Sequence, residues 1–247
     1  MFLIPSVAYF IMAQVTDSTL ILPLSSILLI ILTAFLYSYL GNYFSLKGIQ
    51  FAPNPGYSLV IQKSYSVLTT IGAILLFGAS FSFEKLIGIL IILLFTVLIS
   101  IDTKTKKSKN SWVLFSLLAH LSFAFGSLMS KHFLNIGLQP YQYLFYITIF
   151  VSILNLIETK KKNISFKLTK QNWIIILLIG LFSIGFNLSM QFAYRIAPNL
   201  GYVVAINTSS IMSLTLLSSV IFKDSLSKQK IVGIIGVMIG LLILTLG

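Results

Sequence analysis

Cysteine is absent from these 247 residues, and only five acidic residues and two histidines accompany seventeen lysines and arginines. Disulfides, thiolate metal sites and a cysteine nucleophile are therefore excluded. Two histidines without carboxylates at ligand spacing give no basis for a metal site. Charge of either sign is scarce, at 9% of residues, where soluble domains carry about a quarter. With 57% hydrophobic residues and a mean hydropathy of +0.99, most of the chain cannot face water. The net charge of +12 would suggest nucleic acid in a soluble protein, but the lysines lie between apolar spans. They read instead as topology signals toward anionic lipid and cytosol. The composition describes an integral, multi-pass protein of a plasma or inner membrane, with the lipid bilayer as a partner and nucleic acid excluded.

Long apolar runs are what the chain has in quantity. A membrane span needs about 20 mostly apolar residues. Runs bounded by charge, Pro and Gly predict eight full helices, at 23–51, 55–79, 84–101, 111–134, 139–157, 172–196, 199–222 and 228–246. The first is expected to bend or end near Gly48, because the residue before Pro53 avoids helical geometry. Residues 2–13 are apolar but short for a span, and they lack the basic start of a signal peptide. They read as the remaining part of a helix.

Six residues occur twice. Ala52-Pro53-Asn54-Pro55-Gly56-Tyr57 returns as Ala197-Pro198-Asn199-Leu200-Gly201-Tyr202, and an ungapped offset of 145 keeps the two copies in step. The same offset pairs Asn42 with Asn187, Ile61 with Ile206, Ser64 with Ser209, Thr70 with Thr215 and Gly88 with Gly233. Apolar composition alone would not set Asn, Pro and Gly in register. Carried backwards, the offset sets Met1 opposite Tyr146, so the first repeat is expected to lack its first helix and part of its second. The expected organisation is a first repeat at 1–101, a lysine-rich linker at 102–110 and a complete five-helix repeat at 111–247. Tandem membrane repeats with a solute site where the halves meet are a transporter plan.

The chain resembles the EamA-type members of the drug/metabolite transporter superfamily. The resemblance is carried by the Ala-Pro-Asn-X-Gly-Tyr turn into the fourth helix of each repeat, by Phe222-Lys223-Asp224-Ser225-Leu226-Ser227 through Gly233, and by Ser130-Lys131 late in the 111–134 helix. It implies an all-α polytopic bundle of two tandem inverted repeats, here with about 8 full transmembrane helices plus a partial one at the start. Departures are the missing opening helix, Gly78-Ala79-Ser80 in place of the charged turn at 223–225, and Pro55 in the place of Leu200. Lysine distribution makes the lysine-rich side cytoplasmic and leaves the carboxyl terminus outside, whereas the resemblance implies a cytosolic terminus.

Polar groups within spans must find partners, which makes them candidates for function or for helix adhesion. Lys63 lies about eight residues into its helix, roughly 12 Å deep, and is a candidate for an anionic solute group or a snorkelling side chain. His120 is the midspan group whose ordinary pKa permits proton exchange near neutrality, or else a hydrogen-bonding helix contact. Asn187 and Gln191 share a helical face. Asn42 repeats Asn187, and Gln62 repeats as Asn207, one turn beyond Tyr57 and Tyr202. These amides and tyrosines are candidates to bind a small polar or amphipathic metabolite, with helix adhesion as the alternative. Gly233, Gly236 and Gly240 allow close helix approach, either within the protein or in a homodimer. The five acids lie near span ends or in loops, so carboxylate-based proton coupling is not supported. Neither a Walker loop nor a metal-hydrolase cluster is present, which argues against an enzyme or a primary pump, and no cofactor is expected. The expected function is secondary transport of a small organic metabolite by alternating access. The alternative is a truncated, non-transporting membrane remnant or interaction protein.

Overall fold

A chain this apolar must satisfy its backbone within each segment, which helices do without neighbours. The computed structural model describes residues 2–16, 20–52, 55–100, 111–163, 169–221 and 227–246, and all regular structure among them is helical. In order these are α1 (Leu3–Val15), α2 (Leu24–Thr33), α3 (Gly41–Phe51), α4 (Pro55–Lys63), α5 (Tyr65–Phe77), α6 (Phe83–Ser100), α7 (Ser111–Asn135), α8 (Pro140–Lys161), α9 (Lys170–Ile196), α10 (Leu200–Thr208), α11 (Ser210–Ile221) and α12 (Lys228–Leu246). A π-helical stretch, Ala34–Leu40, joins α2 to α3.

Among the described residues, six segments are long and apolar enough to cross a membrane: Leu24–Phe51, Tyr57–Phe77, Ser111–Asn135, Pro140–Lys161, Lys170–Ile196 and Lys228–Leu246. The predicted spans 84–101 and 199–222 are occupied by α6 and by the pair α10 and α11, and the predicted partial helix by α1. The linker 102–110, Pro53-Asn54, Lys223-Asp224-Ser225, Asp17 and Asp102 lie outside the described residues.

The helix expected to bend or end near Gly48 ends at Phe51, with Gly48 itself inside α3. Its role is contact: a Cβ there would sit 2.7 Å from Ser58 Oγ and 2.8 Å from Ser116 Oγ. The irregularity of this long helix lies earlier, in the π stretch, where no Pro or Gly marks it in sequence.

The chain forms two compact units, each drawing on both halves of the sequence. One comprises Met1–Leu40 and Met129–Ile196. Here α1 packs on α8 and α9. Tyr9 is fully buried and donates its hydroxyl to Ile184 O at 3.3 Å. Ile30, Ala34, Phe133, Tyr143, Ile147 and Val151 form the core. Much of α9 is outward and apolar, with Trp173, Leu177 and Phe182 exposed, a surface suited to lipid rather than water.

The other unit comprises Gly41–Leu128 and Ala197–Gly247. Its firmest packing is between α6 and α12, which run antiparallel. A Cβ on Gly88 would lie 2.9 Å from Leu244 N and 3.0 Å from Gly240 O, and one on Gly233 would lie 3.2 Å from both Ile99 N and Phe95 O. The offset of 145 turns Gly88, Phe95 and Ile99 into Gly233, Gly240 and Leu244, so each contact is the other with the copies exchanged. A Cβ on Gly236 would lie 2.1 Å from the Phe95 ring, and one on Gly240 would meet Ile91 and Ile92 at 3.0 and 2.9 Å. The glycine face of α12 thus packs within the chain. A homodimer through these glycines would meet a face that α6 already covers.

Candidate functional site

The second hexapeptide shows what its residues do. Asn199 caps α10, with Oδ1 accepting from Gly201 N–H at 2.9 Å and Nδ2 donating to Ser80 O at 3.3 Å. Tyr202 donates its hydroxyl to the same Ser80 carbonyl at 3.3 Å, and Lys85 Nζ stands 5.4 Å from its ring. Gly201 lets Thr70 of α5 approach so closely that a Cβ would fall 1.8 Å from its Oγ1 and 2.7 Å from its Cα. The motif therefore starts α10 and seats it against α5 of the first copy. Tyr202 spends its hydroxyl on that structure.

Beyond the hexapeptide, each copy is interrupted for one residue that keeps near-helical dihedrals, φ −65° and ψ −5° at Ser64 and φ −63° and ψ −14° at Ser209, and we call each interruption a break. α4 ends at Lys63 and α5 begins at Tyr65, while α10 ends at Thr208 and α11 begins at Ser210. The breaks fall at Ser64 and Ser209, which the offset pairs. Ser64 Oγ donates to Ile61 O at 2.7 Å, and Ser209 Oγ donates to Ile206 O at 2.6 Å. In each copy the chain resumes through a tight turn, Val67 N–H to Ser64 O at 3.1 Å and Met212 N–H to Ser209 O at 2.9 Å. A serine hydroxyl that bonds back to a carbonyl competes with the helix ladder, which gives a continuous apolar run a local reason to break.

The surroundings of the two breaks differ. At the first, His120 Nδ1 lies 3.1 Å from Ile61 O and 3.1 Å from Ser64 Oγ. The carbonyl can only accept, so the ring hydrogen belongs on Nδ1, and Nε2 remains an acceptor in the neutral ring. Lys63 is half-buried in the last turn of α4, with no hydrogen bond or ion pair among the described residues. At the second break its counterpart Thr208 is fully buried and satisfied by Val204 O at 3.0 Å. Asn207 has no hydrogen bond among the described residues, and it is partly exposed.

Gln62 sits in a polar knot that the sequence did not reveal. Its Oε1 accepts from Ser45 Oγ at 2.6 Å, and its Nε2 donates to Ser58 Oγ at 2.8 Å and to Ser45 O at 3.3 Å. Ser58 Oγ and Ser116 Oγ are 2.7 Å apart. Three helices, α3, α4 and α7, are joined here with Gly48 at the centre, and the Gln62 amide is occupied by protein partners. Tyr57 lies with its ring 6.3 Å from that of Trp112. Asn42 is exposed on the first turn of α3.

Asn187 and Gln191 lie in the other unit. Asn187 Nδ2 donates to Ser183 Oγ at 3.0 Å. Gln191 Nε2 donates to Ser130 Oγ at 3.3 Å, and Ser130 donates to the buried Tyr143 hydroxyl at 3.2 Å. Gln191 Oε1 is buried without a partner among the described residues. The neighbouring Lys131 serves the fold, since its ammonium caps α9 through Tyr194 O at 2.7 Å and Arg195 O at 3.3 Å.

The EamA-like transporter family model matches residues 110–246, more than half of the chain. No curated protein matches it. A solved structure described only as the crystal structure of a protein aligns with 99% of this chain and 86% of its own, at 14% identity and a TM-score of 0.85. That likeness is one of fold.

Proposed function

The chain belongs to the EamA-like transporter family, and from that premise we propose that it is a secondary transporter carrying a small polar organic metabolite across a membrane by alternating access of two inverted helix repeats. The repeats are 1–101 and 111–247, joined by the linker 102–110, with eight full spans and a partial one. The observation that carries the reading is the broken helix that occurs twice, at Ser64 and at Ser209, with the same hydroxyl-to-carbonyl closure. Discontinuous helices place free backbone groups at depth, where transporters bind solutes, and irregular backbone is tolerated in a membrane only where protein or a cavity covers it. The exchanged contacts of Gly88 and Gly233 support an inverted relation between the copies.

Lys63, His120 and Asn207 are the solute-binding candidates of one unit, because each keeps a polar group available. Asn187 and Gln191 are those of the other. Reconstituted into liposomes, the folded chain is expected to accumulate or exchange at least one member of a metabolite panel. Absence of flux for every solute, with folded protein in the bilayer, would sink the proposal.

A further inference from the structure

The first break carries a charge and an idle hydroxyl that the second lacks. We propose that it binds an anionic group of the transported solute, a carboxylate or a phosphate ester, held between Lys63 Nζ and Ser66 Oγ at the start of α5. The inference rests on the transporter reading above and adds the substrate class.

The hydroxyl is the first observation. Ser66 is fully buried, and its Oγ bonds to nothing among the described residues. The other hydroxyls of α5 close on the carbonyl four residues earlier, Thr69 on Tyr65 O at 2.7 Å and Thr70 on Ser66 O at 2.8 Å. The corresponding carbonyl for Ser66 is that of Gln62, which lies across the break on α4. Ser66 is left in the first turn of α5, where amides lack intrahelical acceptors and the dipole favours negative charge. A buried hydroxyl without a partner is unfavourable until a ligand supplies one.

The lysine is independent of it. Lys63 stands three residues before Ser66, and Ser64 keeps near-helical dihedrals of φ −65° and ψ −5°, so the two share a face across the break. Helical side chains lean toward the N-terminus, which turns the serine toward the level of the lysine. Among the described residues of this unit the one acid is Glu84, in the first turn of α6, and it does not pair with Lys63. The counterparts of Lys63 and Ser66 are Thr208 and Ile211. Packing of a break therefore requires neither the charge nor the second hydroxyl.

Position points the same way. Lys63 closes the nine-residue α4, roughly 12 Å into the span counted from that helix's start. A soluble anion reaches that depth more readily than a lipid headgroup.

Thermal unfolding of the purified full chain with glutamate, succinate or glycerol 3-phosphate, against glycerol and glucose, tests the site without flux. Uptake of the same labelled compounds into phosphatidylcholine vesicles tests transport. At least one anion is expected to raise the unfolding midpoint and to enter the vesicles. Lys63→Thr, which copies Thr208, should weaken that response by about tenfold or more, and Ser66→Ala by about threefold. Lys63→Arg should retain most of it, which separates loss of charge from loss of fold. An equal response in wild type and Lys63→Thr, or uptake confined to glycerol or glucose, overturns the anion site and leaves the transporter reading standing. Stabilisation that depends on Lys63 without any flux keeps the site and sinks transport. Stabilisation by added phosphatidylglycerol alone assigns the site to a lipid headgroup and overturns the solute. No anion response and no flux count against both.

Discussion

At the first break Ser64 closes on Ile61, and at the second Ser209 closes on Ile206, with hydroxyl distances of 2.7 and 2.6 Å. The shared closure belongs to the architecture, since both copies need it to interrupt an apolar helix. What differs is the chemistry around it. Lys63, His120 and the unsatisfied Ser66 surround the first break, where the second has Thr208, bonded to its own helix, and Ile211. A feature present in one copy and absent from the other, on the same backbone, is not required by the fold. Groups that build a break are thereby separated from groups that use one.

The largest effect is expected where the two copies touch. Gly201→Val forces a Cβ to within 1.8 Å of Thr70 Oγ1 and 2.7 Å of its Cα, and the backbone atom cannot step aside. A loss of about 3 kcal/mol or more is expected, read as failure to recover monodisperse protein or as a collapsed unfolding midpoint. Gly185→Ala, with open space around it, should leave the midpoint nearly unchanged. If Gly201→Val were equally neutral, the close seat of α10 on α5 would be wrong.

Next comes an exchange of the copies. Thr208 is fully buried, and Thr208→Lys places an unpaired ammonium there at a cost of about 2.5–3.5 kcal/mol. Lys63→Thr alone should unfold no more readily than wild type. If the breaks are equivalent in backbone, the double exchange Lys63→Thr with Thr208→Lys recovers part of the loss, because only one cation remains at the two breaks. Additive single effects, with no recovery, would show that the two positions do not sense each other.

The amides divide the copies at a smaller scale. Gln62→Ala removes three bonds and leaves Ser45 Oγ without the amide, while Ser58 and Ser116 keep each other, so a loss of about 1–3 kcal/mol is expected. Asn207→Ala removes no hydrogen bond to a described residue and should stay within about 0.5 kcal/mol. Chemical denaturation in detergent reads both. Equal losses would mean that Asn207 has a protein partner as binding as those of Gln62.

Part of this pattern was legible from the hexapeptide, because Asn199, Gly201 and Tyr202 each have a local role. The offset between the copies paired Ser64 with Ser209 and Gly88 with Gly233 before either had a structural meaning. The breaks themselves were not legible, since serine in an apolar run is a weak interruption and both runs read as continuous spans. The end of the helix at Phe51 was legible from Pro53, but not the use of Gly48, which is to admit two serine hydroxyls. The knot around Gln62 depends on Ser45, Ser58 and Ser116 from three helices, a coincidence that no local pattern records. Ser66 became informative only once the break had taken its usual carbonyl away.

The smallest effect tests whether the first break needs its histidine at all. His120 Nδ1 reinforces a carbonyl that Ser64 already satisfies, as Ser209 alone does for Ile206 in the other copy. His120→Asn, which can still donate to Ile61 O, should cost well under about 1 kcal/mol, and His120→Phe about 1 kcal/mol. Ser64→Ala should cost more in the His120→Phe background than in wild type, since the carbonyl then loses both donors. Circular dichroism melts of the four proteins measure this coupling directly. Strict additivity would mean that the two donors do not share Ile61 O, and that the break holds without either of them.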